Sequence, residues 1–308
     1  MTRNTITSVL RVLGVLLLAF AVYQWNQPGG FHPLDQTLKF ARRVGLMESV
    51  LDQAHRLAQP GLHLEHTNEP QFSWIGGLPS VAPGFEWPTW KGEPLAFLAQ
   101  IDLAEVAAGM NQPWLPKQGQ LYFFFHVSEE MVGGYDPEDA GAWQVVHTNI
   151  DRAALVPATM PGGLEEQALF PKTNIRFRRI ATLPTEERFM GRWDLSNEEF
   201  EALLGARGAP FREQPRHQMF GYPYPEQDDG MELQAQLISN GVNSFDRRDP
   251  RVRELSPGAD QWRLLLQMDT DDGSNMMWED GGLLYFWIRE PDAANGDFSK
   301  VWVFLQSG

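Results

Sequence analysis

Two stretches of this sequence repeat one another, and this internal repeat constrains the fold more than any other feature. LAFLAQIDL at residues 95–103 precedes GQLYFFF at 119–125, and WRLLLQMDT at 262–270 precedes GLLYFWI at 282–288. Gln267 follows Gln100 by 167 residues and Tyr285 follows Tyr122 by 163, so the two spacings differ only by a loop's length. A strand unit that occurs twice and cannot close its own core predicts two copies packed as a pseudo-dimer.

Short aromatic runs separated by glycine and proline predict a mainly antiparallel sheet. These runs cover residues 119–127, 142–148, 263–269, 282–288 and 300–306. Helices are the minority, and two of them are predicted from capping boxes: Asp102 with Glu105, and Ser196 with Glu199. The sequence therefore predicts a β-rich α+β fold with two pseudo-repeated halves, preceded by an N-terminal membrane helix.

The N-terminus predicts a membrane-targeting segment. Arg3 and Arg11 precede an apolar run over residues 12–23, and the stretch from Thr5 to Trp25 has 21 residues, close to the roughly 20 that span a bilayer. A cleaved signal peptide is the alternative, since residues 19–21 read Ala-Phe-Ala. The aromatic end of the segment favours an uncleaved single-pass anchor through residues 5–25. Arg3 and Arg11 favour a cytoplasmic N-terminus and a body on the extracytoplasmic side of the membrane, whereas Lys39, Arg42 and Arg43 favour the opposite orientation.

Behind this segment the chain changes character twice. Residues 1–27 form the predicted anchor or signal segment. Residues 31–60 form a predicted helical linker, because their apolar side chains have helical spacing and the pattern ends at Pro60-Gly61. Residues 61–308 carry the β pattern and both copies of the repeat, so we expect them to form one domain with an internal duplication.

The charge of the chain limits its partners. It has 25 lysine and arginine residues against 40 aspartate and glutamate residues, a net charge of −15. Such a charge repels phosphate backbones, which disfavours nucleic-acid binding, and it favours a basic protein partner. The absence of cysteine excludes disulfides, thiolate zinc sites and a cysteine nucleophile.

A set of motifs resembles the YwqG-like family of bacterial proteins of unknown function over roughly residues 68–306. The motifs are SWIGGLPSVAPGFEWP, PLAFLAQIDLAEV, LPKQGQLYFFF, HQMFGYPYPEQDD, LLLQMDTDD and MMWEDGGLLYFWI. The family's Trp-Gly-Asp-x-Gly pattern departs here to Trp278-Glu279-Asp280-Gly281-Gly282, which puts a glycine-dependent turn at residue 279 in question. The resemblance implies a β-rich α+β fold and supplies no catalytic residues.

Candidate ligand-binding residues come from a Gln-x-Asp pattern that occurs three times, together with His217. Residues two apart on a strand share a face, so the copies could converge on a polar cleft for a small ligand or a cation. A structural reading stays open beside it, because Asp102 already serves as a predicted helix cap and a buried glutamine often satisfies backbone groups. The candidates are Gln100, Asp102, His217, Gln227, Asp229, Gln267 and Asp269.

The acidic stretch QMDTDDGSNMMWED at residues 267–280 fails the EF-hand pattern at its fifth, sixth and twelfth positions. We interpret it as the end of a strand followed by a polar turn, with Met276, Met277 and Trp278 serving in packing, and we predict neither a dedicated metal site nor a cofactor.

The sequence has none of four common catalytic or nucleotide-binding motifs: the metalloprotease motif, the nucleophile elbow, the phosphate-binding loop and the dinucleotide fingerprint. Their absence disfavours an enzyme. The first functional hypothesis is a membrane-tethered, non-catalytic interaction or regulatory module, for example an immunity-like protein, whose acidic face binds a basic protein. The alternative is a hydrolase or a protein that binds a small ligand or cation in the duplicated Gln-x-Asp cleft, with His217 as acid or base.

Overall fold

The computed structural model describes residues 56–185, 188, 207, 209–211, 215–243, 246 and 248–308. The predicted anchor, most of the predicted linker and the helix predicted from Ser196 lie outside these residues. Within the described part of the chain, no helix is both long enough and apolar enough to cross a membrane.

The chain divides into two compact units. The first comprises residues 1–63, 178–214 and 220–224, and the second comprises residues 64–177, 215–219 and 225–308. Both copies of the repeat lie in the second unit.

Hydrogen bonds around Thr182 and Arg178 organise the described part of the first unit. The hydroxyl of Thr182 donates to the carbonyl of Gln59 and accepts from the backbone amide of Tyr222, at 3.0 and 2.8 Å. The guanidinium of Arg178 donates to the carbonyl of Pro210 and lies 2.9 Å from Nδ1 of His63. These contacts join segments that are far apart in the sequence.

Most strands belong to one large sheet. Ten strands run in the order β14-β13-β12-β11-β1-β10-β2-β6-β7-β8, and β3 pairs with β9 and β4 with β5. The strands are β1 (Gln59–His66), β2 (Trp74–Ile75), β3 (Ser80–Val81), β4 (Thr89–Trp90), β5 (Glu93–Pro94), β6 (Ala96–Asp102), β7 (Gln120–Phe125), β8 (Trp143–Thr148), β9 (Val156–Pro157), β10 (Thr173–Thr182), β11 (Gln218–Met219), β12 (Trp262–Asp269), β13 (Leu283–Arg289) and β14 (Trp302–Gln306).

Antiparallel pairing predominates in this sheet, as it does between β6 and β7, β7 and β8, β12 and β13, and β13 and β14. The predicted β-rich, mainly antiparallel fold is therefore confirmed, and each of the five predicted aromatic runs contains a strand.

The helices in the described part of the chain are short. They are α1 (Leu103–Gly109), α2 (Met231–Ile238), α3 (Arg251–Leu255) and α4 (Glu290–Ala294). Asp102 caps α1 as predicted, since its carboxylate accepts from the backbone amides of Ala104 and Glu105. The second bond of the predicted capping box does not form, because the amide of Asp102 donates to Ser73 and the carboxylate of Glu105 accepts from Phe72 and Ser73. Short 3₁₀ helices occur at Pro137–Asp139, Arg152–Ala154, Glu166–Ala168, Ala209–Phe211, Ser256–Gln261 and Phe298–Lys300.

The two copies of the repeat share their pairing register. Gln100 pairs with Tyr122 in the first copy and Gln267 pairs with Tyr285 in the second. Both first strands also carry a register shift at the same place, between Phe97 and Ala99 and between Leu264 and Leu266. Phe123 contacts its own counterpart Phe286, with ring centroids 5.2 Å apart. Contact between equivalent residues is the arrangement found at a two-fold axis.

Large apolar side chains of the two repeats form the core. Those with almost no exposed surface include Tyr122, Phe123, Phe124, Phe125, Tyr285, Phe286, Trp287, Phe304 and Trp278. Met276 and Trp278 are buried whereas half of the Met277 surface is exposed, so two of the three residues predicted for packing have that role.

A glycine pair covers the last strand of the sheet. The amide of Leu305 donates to the carbonyl of Gly133, and the indole of Trp302 donates to the carbonyl of Gly134, at 3.0 and 2.8 Å. Gly134 has φ +78°, and a β-carbon placed there would lie 1.8 Å from the carbonyl oxygen of Val303. An end strand has unpaired backbone groups, and this loop pairs one of them within the chain.

Glu279 occupies a left-handed conformation, with φ +47°. This is the position where the resembled family has glycine, and glycine adopts such a φ without steric cost.

Replacing Glu279 by glycine is expected to raise the free energy of unfolding by about 0.5 to 1 kcal/mol relative to Glu279→Ala. Both variants lose the hydrogen bond from the hydroxyl of Ser307, so their difference isolates the backbone conformation. Urea unfolding measures it, and equal stability of the two variants would contradict the prediction.

Candidate functional site

In the first repeat, internal hydrogen bonds occupy the Gln-x-Asp pair. Gln100 accepts from the amide of Ser80 and donates to the carbonyl of Phe72. The amide of Asp102 donates to the hydroxyl of Ser73 at 2.9 Å. In addition to capping α1, the carboxylate of Asp102 accepts from the side chains of Arg152 and Gln120.

The second repeat uses the same scheme with different side chains. Gln267 donates to the carbonyl of Arg216 at 2.7 Å, as Gln100 does to Phe72. The amide of Asp269 donates to Nδ1 of His217 at 3.0 Å, where the first repeat uses Ser73. The carboxylate of Asp269 accepts from the backbone amide and the guanidinium of Arg216, which also donates to Glu226.

Each of these two carboxylates has an arginine partner, and the pairing shifts pKa values at both sites. Burial alone would raise the pKa of Asp102, but hydrogen bonds from Arg152 and Gln120 hold it below the usual value. Burial alone would lower the pKa of Arg216, yet Asp269 and Glu226 raise it. Through their bonds to Arg152 and Arg216, the two carboxylates tie irregular segments to the sheet.

The third predicted pair does not share this geometry. Gln227 and Asp229 lie in the loop before α2 and not on a strand. The amide side chain of Gln227 is exposed and donates to the carbonyl of Ser307, whereas Asp229 is buried. Among the predicted site residues, the structure brings His217 and Asp269 into contact, and the first-repeat pair Gln100 and Asp102 has its own set of partners.

A histidine–aspartate triad forms beside the second repeat, and only one of its members, His217, is among the residues predicted from the sequence. Nε2 of His66 and Nε2 of His217 lie 3.0 and 3.4 Å from Oδ2 of Asp271. His217 and Asp271 are buried, whereas about a third of the His66 side chain is exposed. The hydroxyl of Ser274 and the amide of Gly273 also donate to the carboxylate.

The three groups affect one another's ionisation. Burial lowers the pKa of His217, and Asp271 only partly offsets this effect. Burial would raise the pKa of Asp271, but its hydrogen bonds, foremost that from His217, lower it well below the usual range. At neutral pH the triad therefore consists of an ionised carboxylate facing a neutral, buried imidazole.

The spacing of the triad would allow a metal ion, because one ligand atom from each residue lies within 4.8 Å of the others. The hydrogen bonding of His217 opposes this use. Its Nδ1 accepts the amide proton of Asp269, so in the neutral ring the proton is on Nε2, the atom that faces Asp271. A metal-ligating histidine needs a lone pair on that nitrogen and donates from the other one. The donor arrangement thus fits a hydrogen-bonded triad better than a metal centre.

Three acidic loops meet at the end of β14. Residues 128–139 contact it through Gly133 and Gly134, residues 225–230 through Gln306, and residues 279–281 through Ser307. Burial raises the pKa of Tyr135 in the first loop, a hydrogen bond with Gln306 partly opposes this effect, and the charge of Asp228 in the second loop adds to it. We name the exposed carboxylates of the three loops the acidic face: Glu129, Glu130, Asp136, Glu138, Asp228, Glu279 and Asp280.

Comparison with known proteins gives a family but no activity. A family model described as "Domain of unknown function (DUF1963)" matches residues 73–307. No curated protein matches the chain.

Proposed function

The chain belongs to the DUF1963 family of domains of unknown function, and from that premise we propose that it is a non-catalytic binding module whose acidic face docks a basic protein partner. The narrower YwqG-like assignment, a tether through residues 5–25, an extracytoplasmic body and an immunity-like or regulatory role belong to the same proposal.

The observation that carries this proposal is the convergence of acidic loops at β14. Residues 118–151, 217–246 and 264–288 contain no lysine or arginine, and each of the three loops comes from one of these stretches. Because these stretches contain no lysine or arginine, their exposed carboxylates favour a positively charged partner, which a negative potential steers and orients.

The hydrolase or small-ligand alternative has less support from the geometry. The carboxylates of Asp102 and Asp269 each accept from an arginine and further donors. Their glutamine neighbours are bonded to backbone groups. A substrate or a cation would have to displace these internal bonds before it could bind.

Reversing three charges of the acidic face is expected to weaken binding of a basic probe by about tenfold or more at low salt. The variant is Glu129→Lys, Glu130→Lys and Glu138→Lys, and the probe is a fluorescent deca-lysine peptide whose anisotropy is titrated with full-length protein.

A matched control variant distinguishes the effect of where the charges lie from the effect of the total charge of the protein. Glu86→Lys, Glu165→Lys and Glu166→Lys change exposed carboxylates elsewhere, and because each reversal adds two charges, both variants move from −15 to −9. The affinity of the control variant for the peptide is expected to fall by less than about threefold. Equal losses in the two variants, or no binding by the wild type, would refute the acidic face as a docking surface. Recovery of the full-length chain with soluble proteins after fractionation would refute the tether.

A further inference from the structure

The backbone amides of Asp102 and Asp269 are equivalent in the two repeats, but they donate hydrogen bonds to chemically different side chains. Ser73 accepts from the amide of Asp102 and donates onward to Glu105 at 2.6 Å. His217 accepts from the amide of Asp269, and its other nitrogen faces Asp271. Because a serine is sufficient to hold this amide in the first repeat, the imidazole adds to the second repeat a group that can change charge near neutral pH.

The charged groups around His217 come from every segment packed against it. They are Asp271 from the loop between β12 and β13, Asp269 from the end of β12, and His66 from β1. Asp269 is in turn paired with Arg216, which also pairs with Glu226. Asp269 is therefore already neutralised, which leaves Asp271 as the carboxylate that faces both imidazoles.

His66 contacts Asp271 without a well-aligned hydrogen bond. Its Nε2 lies 3.0 Å from the carboxylate of Asp271, yet this buried atom makes no aligned hydrogen bond within the described residues. About a third of the His66 side chain is exposed, whereas His217 and Asp271 are buried.

The effect of pH on these contacts has a definite sign. Burial holds the pKa of His217 below its usual 6.5, so the closed arrangement keeps the ring neutral, whereas an opened loop takes up a proton once the pH falls below that value. The contribution of His217 is thus complete above 6.5 and is lost as the pH falls through its lowered pKa. Asp271, whose pKa is also lowered, loses its contribution only below the usual aspartate value of 3.8.

We propose that His66, His217 and Asp271 form a pH-sensitive clasp that orders the loop between β12 and β13 at neutral pH and releases it on mild acidification. The first repeat has no such clasp. The loop also carries Glu279 and Asp280 of the acidic face, so opening of the clasp weakens that face. This last consequence rests on the proposed function, whereas the clasp itself does not.

Hydrogen exchange of the full-length protein tests the clasp, with rates corrected for the intrinsic effect of pH. Between about pH 7.5 and about pH 5.5, amides of residues 270–282 are expected to lose about tenfold in protection. Residues 103–119, the equivalent segment of the first repeat, which begins with α1, should change less than about twofold and serve as the internal control.

Two variants attribute the effect to the triad. His217→Ser copies Ser73 of the first repeat, so it keeps an acceptor for the amide of Asp269 and should remove most of the pH dependence. His66→Gln leaves His217 in place and should reduce the dependence without abolishing it. Equal loss of protection in both loops, or the same pH dependence in His217→Ser as in the wild type, would overturn the clasp.

The deca-lysine peptide distinguishes the clasp from the docking proposal. Affinity that falls by about threefold or more at the lower pH in the wild type, but not in His217→Ser, supports the link between the clasp and the acidic face. If residues 270–282 open at the lower pH but the affinity for the peptide does not change, that link is overturned and the clasp proposal stands. Absence of peptide binding at either pH counts against the proposed function alone.

Discussion

Replacing Gly134 by alanine is expected to lower the free energy of unfolding by about 3 kcal/mol or more, a large effect for the addition of a single methyl group. The added β-carbon would lie 1.8 Å from the carbonyl oxygen of Val303, and the residue would have to keep φ +78°. Neither atom can move cheaply, because the carbonyl belongs to β14 and the loop is held to the same strand by Leu305 and Trp302.

Gly84→Ala is the matched control for this substitution. Gly84 also has a positive φ, +81°, but nothing lies within 4 Å of the place where its β-carbon would be. Its expected cost is the conformational one alone, about 1 kcal/mol. Urea unfolding at equal pH gives both values. If the two variants are equally stable, Gly134 does not make the close approach to β14 described above.

Replacing Asp102 by alanine is expected to cost about 3 kcal/mol, because one carboxylate has three functions. It caps α1, pairs with Arg152 and accepts from the buried side chain of Gln120. Loss of the cap costs about 1 kcal/mol, and leaving Gln120 without its acceptor costs about 1 to 3 kcal/mol. The pair with Arg152 contributes less than a fully buried one, since about a third of that side chain is exposed.

Asp151→Ala provides the comparison for Asp102. The Asp151 side chain caps the neighbouring 3₁₀ turn by accepting from the amide of Ala153, but it is exposed. Its loss should cost about 1 kcal/mol or less. Thermal and urea unfolding measure both variants, and a cost for Asp102→Ala no greater than that for Asp151→Ala would contradict the anchoring role. Because the lowered pKa of Asp102 stabilises the fold above the usual 3.8, the two variants should converge in stability as the pH falls below that value.

The sequence predicts the strands well because short apolar and aromatic runs between turn residues have few other uses than a buried strand. The runs around Tyr122 and Tyr285 became strands with identical register, and the Asp102 cap followed from a short-range rule in which three residues determine the geometry. Local patterns of this kind need no knowledge of distant contacts.

The hydrogen-bonded partners in the candidate site could not be predicted in this way, because they are far apart in the sequence. His66 meets Asp271 across 205 residues, and Arg152 reaches Asp102 from an irregular segment that has no periodicity. The Gln-x-Asp spacing correctly identified two equivalent pairs on strands, but it also selected Gln227 and Asp229, which lie in a loop. Spacing alone does not distinguish a strand from a turn in a polar segment rich in proline.

The contact between Phe123 and its counterpart Phe286 has a consequence for how the two halves can diverge. In a homodimer built from a single repeat, any substitution would appear in both protomers, so a histidine that replaced the serine at this position would alter both halves at once. Joining the halves in one chain removes this constraint. One half can keep the Ser73 arrangement and maintain the architecture, while the other acquires His217 and, with it, a response to its surroundings.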